Sequence, residues 1–134
     1  MTRFRIAALC AGILFAGAAF AAPHFENIYA TDSDDGEAIA AFAPDAAKIY
    51  VHASMVDIPT GAKMTGSWIA VDTNGVAPPN YKIDSSDLTA GVITNTVNFS
   101  MTKPNAGWPV GKYRVDLLID GKPAGAANFV IEKD

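Results

Sequence analysis

Cysteine is almost absent from this chain. Its single instance, Cys10, lies in an apolar leader, so no disulfide braces the rest and stability must come from a buried core. Histidine is nearly as scarce, with only His24 and His52. A lone histidine without Cys, Asp or Glu at ligand spacing is poor material for a metal site or a catalytic base. No Gly-x-Ser-x-Gly elbow accompanies Ser85-Ser86-Asp87, which argues against a serine hydrolase. No spacing singles out a carboxylate pair for glycoside hydrolysis among residues such as Asp72 and Asp116. The chain is therefore expected not to be an enzyme and to need no cofactor. Internal repeats and low-complexity linkers are also missing, and the only charge block is the short acidic stretch Asp32-Ser33-Asp34-Asp35-Gly36-Glu37.

What is present begins with an address. Arg3 and Arg5 precede an apolar run from Ile6 to Phe20, and Ala19-Phe20-Ala21 is a small-x-small cleavage site. Residues 1–21 read as a secretory signal peptide, too short and wrongly flanked for a membrane span. Leu9 before Cys10 does not fit a lipoprotein signal. Cleavage after Ala21 predicts a periplasmic or secreted domain, residues 22–134, with no transmembrane segment. It spans 134 − 21 = 113 positions, enough for one core. Losing Arg3 and Arg5 leaves eight basic residues against 14 acidic ones, a net charge of −6. Such a surface repels phosphate, so nucleic acid is not expected as a partner.

The remaining pattern is short β-rich segments separated by Gly, Pro, Asn and Asp, at the spacing of a sandwich or barrel. Strands are predicted over 25–30, 38–42, 48–56, 64–72, 92–101, 112–120 and 124–131. Residues 75–89 read as a long irregular connection with one short strand at 81–83, and residues 45–48 hint at a single helical turn. Asn74-Gly75 and Asp120-Gly121 supply the positive φ that tight turns need. The expected fold is all-β: one antiparallel immunoglobulin-like or fibronectin-III-like sandwich of seven or eight strands. Trp68, midway along its strand, is expected to be a core ring. Gly111-Lys112-Tyr113-Arg114-Val115 has the form of a tyrosine corner, with Gly111 allowing close approach and the Tyr113 hydroxyl bonding the preceding turn.

Several residues invite sharper readings. Cleavage after Ala21 would leave His24 third, where amino-terminal copper sites place an imidazole. Pro23 has no amide hydrogen to surrender, so such a site would be incomplete, and a disordered terminus is the plainer expectation. Asp32, Asp34, Asp35 and Glu37 suggest calcium, but their spacing does not match a helix–loop–helix site, and a solvated turn fits better. Asn98-Phe99-Ser100 is a glycosylation sequon inside a predicted strand. Trp108 reads either as a plug over the open end of the sandwich or as a partly exposed contact residue.

Phe42-Ala43-Pro44, Lys48-Ile49-Tyr50-Val51, Gly66-Ser67-Trp68 and the ending from Trp108 to Ile131 resemble small exported bacterial proteins of unknown function. That resemblance implies a fold and an exported location. The ending is more loosely similar to periplasmic copper carriers of the CopC type, whose ligands include an Asp-x-His-Pro turn. Here that turn is Asp120-Gly121-Lys122-Pro123, and a lysine ammonium repels a cation. The expected function is a non-catalytic binding or assembly module for a protein or envelope component. Its candidate surfaces are the 75–89 connection with Tyr81, the acidic loop, and Trp108 if exposed. A copper- or calcium-handling protein and a loop-based protease inhibitor are the competing readings.

Overall fold

Alternation of apolar and polar residues resolves into eight strands in the computed structural model, which describes residues 22–91 and 95–133. In chain order they are β1 (His24–Thr31), β2 (Ala41–Phe42), β3 (Lys48–Val56), β4 (Lys63–Asp72), β5 (Tyr81–Thr89), β6 (Thr96–Thr102), β7 (Gly111–Ile119) and β8 (Lys122–Ile131). One sheet has the order β1-β3-β6 and the other β2-β8-β7-β4-β5. All neighbours are antiparallel except β2 and β8, which run parallel with Ala41 opposite Val130. No helix among the described residues is long and apolar enough to cross a membrane.

The inward faces follow the period of two. Ile49, Val51 and Ala53 of β3 meet Met64 and Trp68 of β4, and Tyr113, Val115 and Leu117 of β7, all buried. Each large side chain removed from water in this way contributes about 1.5–3 kcal/mol. Gly66 fits the crossing of the sheets, since a Cβ there would lie 2.7 Å from the Phe99 ring. The two predicted turns close as expected: Asn74 and Gly75 have φ of 56° and 91°, and Asp120 and Gly121 have 50° and 83°. Asp120-Gly121 is thus a two-residue hairpin loop between β7 and β8.

Four expectations need correction. The 75–89 connection is irregular only over residues 75–80: the short strand expected at 81–83 forms but runs on to Thr89, a nine-residue strand on β4. Both of its faces are largely exposed, so it lacks the apolar alternation that betrays a half-buried strand. The 38–42 strand shrinks to Ala41–Phe42, and residues 45–48 hold no helical turn, with β3 starting at Lys48. The terminus around His24 is ordered: His24 opens β1 opposite Val56, and its Nε2 lies 2.9 Å from Glu26 Oε2. The signal peptide and residues 92–94 of the 92–101 prediction lie outside the described residues, where β6 is described from Thr96.

Candidate functional site

The end of the sandwich above β7 is built on Tyr113. Its hydroxyl donates to the Pro109 carbonyl, closing the Pro109–Tyr113 turn, and its ring stacks on Phe129 with centroids 5.2 Å apart. Burial pushes the Tyr113 phenol up to about 12. Gly111 lies against the chain leaving β4: a Cβ there would overlap the Asp72 carbonyl oxygen and come within 2.8 Å of Thr73 Cα.

Trp108 settles on one of its two readings. It is 2% exposed, so it is the plug and not a surface contact. Its Nε1 donates to the Ala46 carbonyl at 2.9 Å and its backbone amide to the Pro44 carbonyl at 2.9 Å. The indole therefore finds its polar partner inside the fold, which is why it need not reach water. Its ring lies edge-on to Tyr113 and Phe129 and 6.4 Å from Trp68, itself 2% exposed.

Beside this aromatic floor opens a cleft of about 240 Å³, walled by Ala77, Tyr81, Ile83, Pro104, Ala106 and Pro109. Almost every exposed atom of the wall is apolar. Among the described residues, two of the three exposed large hydrophobic residues belong to this end: Tyr81, on the wall, is 50% exposed, and Val76, in the turn before β5, is 70% exposed. Thr73 holds that turn, its Oγ1 accepting the Ala77 amide at 3.0 Å. Tyr81 and Trp108, far apart in sequence, thus line the same cleft. Ala77 and Ile83 lie in the 75–89 segment expected as a surface, whereas Pro104, Ala106 and Pro109 were missed as walls of the cleft. The available signal was two proline-rich stretches, Pro78-Pro79 and Pro104 to Pro109, flanking the same end.

The acidic residues are placed elsewhere. Asp32 borders a larger hollow of about 570 Å³ beside β2, whose walls mix Lys48 and Tyr50 with alanines. Asp34 offers its backbone carbonyl to Asn98 Nδ2 at 3.4 Å, while Asp35 and Glu37 are exposed. Among the described residues no three His, Cys, Asp or Glu side chains come together as a metal-binding group. His24 is drawn to Glu26, not to a ligand set. Its pKa is raised, first by the Ala22 carbonyl and then by Glu26. His52 pairs with Asn98 across the strands and lies 5.1 Å from the Tyr29 ring.

No family model matches the chain, and no curated protein matches it. Solved structures do. An immunoglobulin-like protein from Pseudomonas aeruginosa superposes with a TM-score of 0.51 at 9% identity, over 84% of this chain and 94% of that one. The alkylpurine DNA glycosylase AlkC of Pseudomonas fluorescens, solved bound to DNA with an abasic site analogue, superposes with a TM-score of 0.51 at 16% identity. That match covers 85% of this chain, which spans only 31% of the glycosylase chain. The fold is an immunoglobulin-like β-sandwich, and these likenesses extend to the fold alone.

Proposed function

We propose that this protein is an exported, non-catalytic binding module that recognises a protein or envelope component at the β5 end of the sandwich. The observation that carries the reading is the cleft beside Tyr81: concave, apolar-walled, floored by Trp108 and Tyr113, and lined by the exposed Tyr81, with the exposed Val76 in the turn between its lining residues Thr73 and Ala77. Concave apolar sites next to exposed aromatic residues are where partners gain most from desolvation. Its size fits one or two apolar side chains of a partner, below the usual range of small-molecule pockets. The acidic balance supports a protein or neutral partner over nucleic acid, so the DNA in the glycosylase structure is not carried over to this chain.

Capture from a native envelope extract tests the reading. Wild-type protein is expected to retain a defined partner that Tyr81→Ala and Val76→Ser each reduce severalfold, with unchanged circular dichroism. Capture that both variants leave intact, or no partner at any salt concentration, would overturn it.

A further inference from the structure

The free edge of β5 carries a pattern that fits one strand in particular, namely itself. Leu88, Ser86, Asp84 and Tyr81 lie opposite Met64, Gly66, Trp68 and Ala70, and so face the core side. Asp87, Ser85 and Lys82 lie opposite Thr65, Ser67 and Ile69 on the outer side. The register slips by one between Asp84 and Lys82, leaving Ile83 as the extra residue. The Ala90 amide donates to the Ala62 carbonyl, so by alternation Ser85 and Asp87 turn their backbone groups away from β4. Consistent with this, the Ser85 amide is taken by Asp84 Oδ1 at 2.8 Å.

We infer that two copies of this chain pair antiparallel through β5, with Ser85 on the two-fold axis. That register sets Asp84 against Ser86 of the second copy. With Ile83 bulged out, it then sets Lys82 against Asp87 and Tyr81 against Leu88. Each pair shares a face of the joined sheet and occurs twice, as an isologous interface requires. The lysine meets a carboxylate, and the two exposed apolar residues of β5, Tyr81 at 50% and Leu88 at 41%, meet each other. Charges on this edge disfavour an arbitrary strand, whereas in this self-pairing Lys82 and Asp87 are complementary and Asp84 faces a serine. Pairing exchanges the Ser85–Asp84 contact for reciprocal Ser85 backbone bonds across the axis. This inference does not depend on the envelope partner proposed above.

Sedimentation of the purified protein across a concentration series reads the dimer directly. Wild type is expected to shift from monomer to dimer, and Lys82→Glu or Asp87→Lys alone to weaken the association about tenfold or more. The double variant Lys82→Glu/Asp87→Lys is expected to recover it to within about threefold, because the cross-strand pairs are restored in reverse. Amide exchange gives a readout without substitution, with the Lys82 and Asp87 amides slowing as concentration rises. A monomer at every concentration, single variants that associate as well as wild type, or a double variant no better than the singles would each overturn the inference.

Discussion

The two edges of the larger sheet are finished in opposite ways. At one edge β2 is two residues long, runs parallel to β8, and stops before Pro44. Its single inward residue, Phe42, is buried edge-on against Phe129 at 5.6 Å. At the other edge β5 is nine residues long, mostly exposed, and guarded by Lys82, Asp84, Asp87 and a bulge. A short, proline-ended edge offers a second strand almost no length to pair with, whereas a long one with charges presents a selective template. Burial is concentrated at Phe42 and along the aromatic core, and β5 is the edge proposed for recognition.

Removing the element beneath both edges should have the largest effect. Trp108 is tied to the turn that follows β2 and floors the cleft beside β5, so Trp108→Ala is expected to cost about 3–5 kcal/mol in urea unfolding. Phe42→Ala should cost nearly as much, about 3 kcal/mol, although it alters a strand of only two residues. Tyr113→Phe, which removes only the hydroxyl, is expected to cost about 0.5–1.5 kcal/mol. The same phenol has a pH signature. Its pKa in the folded protein is raised to about 12 from 10.0, so the stability it contributes is present below pH 10 and is lost as pH rises through 12. Ultraviolet titration should therefore find a tyrosine that ionises well above pH 10 and that Tyr113→Phe removes.

Leu88→Ala on the long edge should change stability by no more than about 0.5 kcal/mol, the opposite of Phe42→Ala. Equal costs at Phe42 and Leu88 would erase the contrast between the edges. The smallest effect is at the start of β1. His24 should titrate above 6.5 by NMR, and Glu26→Gln should bring it only part of the way back, because the Ala22 carbonyl is the larger cause. The associated stability is present below the unfolded pKa and lost as pH rises through the folded one.

Strands with one buried face were legible in the chain because burial imposes a period of two. Ile49, Val51 and Ala53 alternate with Tyr50 and His52, and Tyr113, Val115 and Leu117 with Arg114 and Asp116. Turn chemistry was legible for the same kind of reason, since Asn74-Gly75 and Asp120-Gly121 are among the few pairs that accept two positive φ values. Of β5 only the start, 81–83, was legible: an edge strand exposed on both faces has no reason to alternate, and its Ser-Ser-Asp run mimics a loop. The cleft was half legible. Tyr81 stood out as an aromatic in a polar stretch, but its company with Trp108 depends on a pairing of β5 with β4 that local sequence does not encode. Trp108 was ambiguous because its partner carbonyl, at Ala46, lies 62 residues away.

The claim that β5 is the recognition edge is tested most directly by placing a photocrosslinking residue at one edge or the other. Tyr81 and Ala41 are both exposed, one on β5 and one on β2, and each can be replaced in turn. Irradiation in the native envelope is expected to give discrete adducts from position 81, either with a second copy or with another protein, and none from position 41. Adducts from position 41 with none from position 81 would contradict the account.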